Sequence, residues 1–312
     1  MARPIVLVAS RLLIGQREQW DAGYEIVGPD EIAAGLPPEI AAHIEVIVAG
    51  GGALDPNLVS ALPNLRLVAC FSTGYEGIDL AHLRSLGVAL TTAGGVNAHD
   101  VADHAIALML AWWHGIPAAD RAVRDGKWRE VLTPRPSLRG KRAGIVGLGR
   151  IGLQIAARAE ALGLAVQWWG PRGKPDAGYA RADSLLALSR DSDFLIVASR
   201  ATAANAGQIS GEILAALGPE GLLVNVSRGF LVDEPALIRA LETGTIGGAA
   251  LDVFAHEPPD ANVWSRFSNV VLSPHIAGYT QEAGVAMFAQ LRENLRRHFA
   301  GEALLTVVED SL

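Results

Sequence analysis

Nine residues near the middle of the chain, Gly144-Ile145-Val146-Gly147-Leu148-Gly149-Arg150-Ile151-Gly152, restrict its fold more than any other stretch. The apolar run at 142–146 reads as a buried strand, and 151–162 carries apolar residues at helical spacing. Strand, G-x-G-x-x-G turn and helix, in that order, make the phosphate-binding corner of a dinucleotide fold. Gly147 permits the tight turn, Gly149 lets a pyrophosphate approach the backbone, and Gly152 lets helix and strand pack closely. The phosphates then meet the free N–H groups of the helix N-terminus. Leu148, Arg150 and Ile151, inside the motif, count with the glycines as cofactor contacts.

At 312 residues the chain exceeds what one hydrophobic core usually organises, so two domains are expected. Half the residues are hydrophobic and 19% are charged, the balance of a globular protein. A net charge of −7, with no run of Lys or Arg, argues against nucleic acid as a partner. The eight histidines form no H-E-x-x-H pattern and no Cys/His cluster, so no metal is expected. Cys70, the single cysteine, lies in an apolar run and reads as a core residue, which fits a reducing cytoplasm. The first residues show no signal-peptide pattern, and no apolar run is long enough to span a bilayer. A cytoplasmic location without membrane contact is the expectation.

Strands are expected at 5–9, 44–49, 67–71 and 87–91, with a helix at 55–62 between them; such alternation implies a parallel sheet with helices on its faces. Residues 100–113 form a long apolar helix candidate, with Asn97 or Asp100 as its cap. After the glycine motif, strands recur at 164–169, 193–198, 221–226, 247–251 and 269–273. With 142–146 they make six, the count of a doubly wound dinucleotide fold. The amphipathic stretch 280–299, with a last strand at 306–308, then returns to the first domain. The fold expected is therefore α/β with two Rossmann-like domains of doubly wound parallel sheets. The dinucleotide-binding domain, 97–280, is inserted into a smaller, flavodoxin-like substrate domain, 1–96 plus 281–312.

Three segments begin at ends of predicted strands in the larger domain: Asn225-Val226-Ser227-Arg228-Gly229, Leu251-Asp252-Val253-Phe254-Ala255-His256-Glu257-Pro258-Pro259, and Ser273-Pro274-His275-Ile276-Ala277-Gly278. Strand ends on one sheet edge meet in space, so Arg228, Glu257 and His275 can converge. With these residues the chain resembles the D-isomer-specific 2-hydroxyacid dehydrogenase family: Arg228 matches its N-x-S/A-R-G-x-x-V-D pattern, Glu257 its A-x-D-V-F-x-x-E-P pattern, and His275 its histidine.

The resemblance implies hydride transfer from a nicotinamide to a 2-oxo acid, giving the D-2-hydroxy acid. His275 would protonate the developing alkoxide, Glu257 would favour the imidazolium, and Arg228 would hold the substrate carboxylate with its planar fork. Backbone N–H groups of Ser72-Thr73-Gly74 would share that carboxylate. Cofactor contacts would extend to Val226, Ser227, Arg228, Asp252, His275 and Gly278. The stretches 94–103 and 299–306 are similar to family members that reduce glyoxylate and hydroxypyruvate and to their close relatives that reduce hydroxyphenylpyruvate. Glyoxylate and hydroxypyruvate, the commonest substrates the resemblance implies, come first and aromatic 2-oxo acids such as hydroxyphenylpyruvate second. A homodimer is also implied, with residues 105–113 and their flank as its candidate contact and Trp112 and Trp113 as either interface anchors or core residues. His104, His114 and His256 are read as structural or solvated. A nicotinamide-sensing regulatory protein on the same fold is the alternative of a different class.

The choice of nicotinamide rests on the end of the strand at 164–169. An NAD site places Asp or Glu there to accept hydrogen bonds from the ribose. This chain has Gly170-Pro171-Arg172-Gly173-Lys174, with no carboxylate. Arg172 would attract a 2′-phosphate, so NADPH is expected over NADH, with Lys174 adding a point charge. Ser199 and Arg200 follow the strand at 193–198, and Arg200 could reach the adenosine end.

Overall fold

The structure is a computed structural model and describes residues 3–19, 23–129, 134–174 and 176–309. Met1 and Ala2, on which the expectation of no signal peptide partly falls, lie outside these residues. The chain divides into two compact units, Met1–Val96 with Thr280–Leu312, and Asn97–Tyr279.

In the first unit, β1 (Ile5–Val8), β2 (Glu25–Val27), β3 (Ile44–Ala49), β4 (Leu67–Cys70) and β5 (Ala89–Thr91) form one parallel sheet ordered β2-β1-β3-β4-β5. This is the doubly wound order of flavodoxin-like sheets. Runs such as Ile-Val-Leu-Val arise because both faces of the sheet are covered. Along β3 the side chains alternate: Ile47 packs with Val59 and Leu83 on one side, while Val46 and Val48 pack with Phe288, Leu291 and Leu295 on the other. Those last three belong to the C-terminal helix Gln281–Ala300, and the Phe288 ring packs at a tilt of 43° against Phe71, centroids 4.5 Å apart. The returning helix thus buries a sheet face that would otherwise meet water.

Two details depart from expectation. β2 escapes a sequence reading because three edge residues are too short to show a period of two. The predicted strand at 306–308 is instead a single antiparallel bridge between Thr91 and Val307. Thr306 has φ 48, which no strand tolerates, and its hydroxyl donates to the Thr92 carbonyl at 2.5 Å while Gln290 donates to both residues.

The second unit holds β6 (Arg142–Val146), β7 (Ala165–Trp169), β8 (Ala180–Arg181), β9 (Phe194–Val197), β10 (Leu222–Asn225), β11 (Gly248–Leu251) and β12 (Val270–Leu272). All pair in parallel, in the order β12-β11-β10-β9-β6-β7-β8. Counted within the unit this is 3-2-1-4-5-6 with a seventh strand added, the dinucleotide order, whose switch point lies between β6 and β9. The count exceeds the expected six because β8, two residues paired to Gln167 and Trp168, is too short to show a pattern in sequence.

The helix Ala98–Trp113 lies in the core of this unit. Ala102, Ala105, Met109, Trp112 and Trp113 pack among Ile145, Trp168 and Phe194. Trp112 donates to the Asn269 carbonyl at 2.8 Å and Trp113 to that of Pro136 at 3.1 Å. Both tryptophans are core residues.

Candidate active site

The glycine turn gives each of its three glycines a distinct physical task. Gly147 has φ +91, and a Cβ there would press into the backbone of Ser199. Gly152, in the helix Arg150–Ala161, lies so close to the Gly147 carbonyl and Ile145 that a side chain has no room. Gly149 is the opposite case: a Cβ would meet nothing within 4 Å. That open backbone at a helix N-terminus is the cradle a pyrophosphate requires, so the residues present fit a dinucleotide. Leu148 is 2% exposed, leaving its backbone to face a ligand.

The loop after β7 carries Arg172, which is exposed, and is tied down at both ends. Arg181 donates to the Gly170 carbonyl at 2.8 Å, and Lys174 Nζ to the Leu148 carbonyl at 2.5 Å. Lys174 therefore anchors the loop to the glycine turn, a task its expected role as a point charge did not include. Loops from three strands meet at Ser199: its hydroxyl hydrogen-bonds Gln208 at 2.8 Å, its carbonyl accepts from Ser227 Oγ at 2.5 Å, and its backbone faces Gly147. Arg200 is exposed, and its carbonyl accepts from Asn205. Val226, 6% exposed, points its side chain into the core, so only its backbone can touch a ligand. Gly278 has no room for a Cβ because Asn97 and Val101 lie against it.

Arg228 stands just beyond β10 on a loop that Asn225 shapes. The buried Asn225 side chain accepts from Ser227 N–H at 3.1 Å and donates to the Arg228 carbonyl at 3.0 Å. Gly229 follows because a Cβ would collide with the Phe254 carbonyl. Arg228 Nη1 donates to the Ser227 carbonyl at 2.7 Å.

His275 and Glu257 are brought together across the strand-end loops. Nδ1 of His275 lies 2.6 Å from Glu257 Oε2, and Glu257 Oε1 accepts the Phe254 N–H at 3.1 Å. The His275 side chain is 46% exposed and its backbone has φ 56, in the left-handed region. Such a conformation costs about 1–3 kcal/mol and persists only where neighbours over-determine it. Here the neighbour is Asp252. Its carbonyl accepts the His275 N–H at 2.8 Å, and its carboxylate, 1% exposed, accepts the Ile276 and Ala277 N–H groups at 2.9 Å each and Ser273 Oγ at 2.6 Å. Counted among the cofactor contacts from sequence, Asp252 in this structure holds the histidine loop from beneath. His104 completes the arrangement, with Nε2 at 2.8 Å from Ser273 Oγ. Asn225, Ser273 and His104 were not singled out from sequence as site residues. The first two lie inside the motifs, but only the fold shows where their side chains point.

In the first unit, Ser72-Thr73-Gly74 follows β4. The Ser72 hydroxyl turns inward to the Gly74 carbonyl at 2.6 Å, so the loop offers backbone rather than side chain. Gly51 packs against it without room for a Cβ. Burial of the Cys70 thiol beneath this loop pushes its pKa up.

A cavity of about 450 Å³ in the second unit, lined by Trp112, Arg135, Gly247 and Asn269, lies at the amino ends of β11 and β12, the edge away from His275. Among the described residues no group of His, Cys, Asp or Glu is arranged to hold a metal, and no helix is long and apolar enough to cross a membrane.

Residues 106–277 match the model of the D-isomer specific 2-hydroxyacid dehydrogenase, NAD binding domain. The chain is 42% identical to glyoxylate/hydroxypyruvate reductase A HPR2 of Arabidopsis thaliana over 257 residues, covering 81% of this chain and 82% of that one. It is 41% identical to hydroxyphenylpyruvate reductase of Plectranthus scutellarioides, covering 86% of each. Among solved structures it resembles the NADPH-dependent glyoxylate/hydroxypyruvate reductase of Sinorhizobium meliloti in complex with NADP and malonate. There the TM-score is 0.88 and the identity 36%, over 98% of this chain and 97% of that one.

Proposed function

The chain belongs to the D-isomer specific 2-hydroxyacid dehydrogenase family, and from that premise we propose that it is an NADPH-dependent reductase of small 2-oxo acids, glyoxylate and hydroxypyruvate first. The family makes it an oxidoreductase that uses a nicotinamide cofactor. The observation that carries the reading of a 2-oxo acid reductase is the His275–Glu257 pair at 2.6 Å, built at the carboxyl edge of a dinucleotide sheet.

The nicotinamide, when bound, supplies a hydride to the substrate carbonyl carbon. His275 Nε2 delivers the proton to the carbonyl oxygen, so that hydride and proton together convert ketone to alcohol. Glu257 holds the ring by Nδ1 and offsets the charge of the imidazolium. Arg228 orients the substrate carboxylate with its planar fork, a task the family resemblance also gives to backbone N–H groups of Ser72, Thr73 and Gly74. On the cofactor side, Gly147, Leu148, Gly149, Arg150, Ile151 and Gly152 receive the pyrophosphate. Arg172 would hold the 2′-phosphate, Ser199 and Arg200 would contribute to the adenosine half, and the backbone of Val226 and Ser227 would complete the cofactor contacts. The Sinorhizobium meliloti relative, by its description NADPH-dependent and bound to NADP, supports the cofactor choice. The Plectranthus relative favours a second reading for the substrate, an aromatic 2-oxo acid.

The proposal includes a cytoplasmic homodimer. The apolar face of residues 105–113 is consumed by the core, so the contact is assigned to their flank: Ile116 and Val123 on the helix Ile116–Arg124, and Trp128, are 55%, 56% and 65% exposed. Sedimentation at micromolar concentration tests it, and a monomer at all concentrations refutes it. The function is tested by following NADPH oxidation with glyoxylate, hydroxypyruvate and hydroxyphenylpyruvate. Turnover of the first two supports the reading, turnover of the third alone supports the aromatic reading, and silence with all three overturns both.

A further inference from the structure

We propose that His104, from the helix Ala98–Trp113, is a positioning residue for His275, acting through Ser273 and Asp252. The inference rests on the reading of His275 as the general acid.

The hydrogen-bond directions are fixed by elementary chemistry. Asp252 is a carboxylate and only accepts, so the Ser273 proton lies on the 2.6 Å bond to Oδ1. Ser273 Oγ then has only lone pairs to offer His104, which must donate from Nε2 across 2.8 Å. The chain of donation runs His104 Nε2–H to Ser273 O–H to Asp252 Oδ1. His104 Nε2 is also 3.5 Å from that same Oδ1, so imidazole and hydroxyl converge on one oxygen.

That oxygen also receives the Ile276 N–H, and Oδ2 receives the Ala277 N–H. The two amides lie immediately after His275, whose own N–H binds the Asp252 carbonyl. Three consecutive amides therefore hang on Asp252, and they hold the backbone of His275 at φ 56. An aspartate side chain could turn about its two torsions. At 1% exposure, with Ser273 and His104 fixing Oδ1, this one has a single orientation. Apolar replacement of His104 leaves Ser273 without its donor and frees the hydroxyl to swing, loosening the aspartate and the loop it carries. Misplacement of a reacting group by about 1 Å can cost about a hundredfold in rate.

The experiment compares His104→Leu, Ser273→Ala, the double variant and His104→Gln, whose amide N–H can replace the imidazole donor, with His275→Gln alongside. Fluorescence titration gives the NADPH Kd, steady-state kinetics gives kcat, and hydrogen exchange in the cofactor-free protein reads the Ile276 and Ala277 amides. The expected result is a kcat reduced about tenfold or more in His104→Leu and in Ser273→Ala, with no further loss in the double variant. In both, the Kd is kept and the two amides exchange faster, while His104→Gln restores kcat to within about threefold of the parent. The inference is overturned if His104→Leu keeps the parent kcat, if the two losses multiply, or if the amides stay protected. Should His104→Leu fail to fold, Ser273→Ala decides by the same amides and kcat. An active His275→Gln refutes the acid itself; an inactive one beside a fully active His104→Leu refutes the positioning role alone.

Discussion

Oε2 of Glu257 lies 2.6 Å from Nδ1 of His275, while Oε1 of the same carboxylate accepts the Phe254 N–H. With both oxygens engaged the carboxylate has one orientation, and the ring it holds turns Nε2 away from it, the atom proposed to carry the transferable proton. Glu257→Ala is expected to lower kcat by about tenfold to a hundredfold, within the range of general acid catalysis, with NADPH affinity kept. Glu257→Gln, which retains an acceptor without charge, is expected to fall between. Kinetics with a parallel fluorescence titration checks this, and an unchanged kcat in Glu257→Ala counts against it.

The loop after β7 separates two cationic roles. Arg172→Ala should raise the KM for NADPH by about tenfold or more and leave that for NADH nearly unchanged, because a charge-assisted hydrogen bond to phosphate contributes about 1.5–3 kcal/mol. Lys174 bonds the Leu148 carbonyl inside the glycine turn, the proposed pyrophosphate site for either nicotinamide. Lys174→Met should therefore weaken NADPH and NADH by similar factors. A loss confined to NADPH would place the ammonium on the 2′-phosphate instead.

Two glycines of one motif should respond differently to the same methyl group. Gly147→Ala meets both a positive φ and the Ser199 backbone, and a loss of about 1–3 kcal/mol in unfolding free energy is expected. Gly149→Ala projects into open space at φ −80, so the loss should stay below about 1 kcal/mol, that of a weaker N-cap, while NADPH binding falls. Denaturant unfolding and NADPH titration of both variants decide. A Gly149→Ala protein that binds normally contradicts the placement of the pyrophosphate.

The first unit carries an acid-sensitive cluster. Hydrogen bonds from Arg296 and then Arg297 hold the Glu293 carboxyl down at about 2. A depressed carboxylate adds stability that is complete above its unfolded pKa, near 4.3, and is lost as pH falls through 2. Glu293→Gln should therefore be less stable than the parent at pH 7, with the gap closing between about pH 4.3 and 2. The side chain is 34% exposed, within reach of solvent ions, so salt should shrink the difference. Unfolding curves at pH 7 and pH 3, at low and high salt, test this.

Much of this was legible because it depends on local pattern. Buried parallel strands declare themselves as continuous apolar runs, and the glycine spacing names its own geometry. Where pattern was too short, reading failed: β2 and β8 have three and two residues, and Thr306 breaks the last strand through one backbone angle. Arg228, Glu257 and His275 could be found from their motifs. The roles of Asn225, Asp252, Ser273 and His104 could not, because they consist of hydrogen bonds across as many as 169 positions of sequence. Trp112 and Trp113 were equally ambiguous until packing against Phe194 and hydrogen bonds to Asn269 and Pro136 placed them in the core.

His275 is proposed to deliver the proton, and every other role at the site depends on it. The most direct test is His275→Gln, followed by NADPH oxidation with glyoxylate and hydroxypyruvate and by NADPH fluorescence titration on the same preparation. A fall in kcat of at least about a hundredfold with NADPH still bound is the predicted result. Turnover at the parent rate would contradict it.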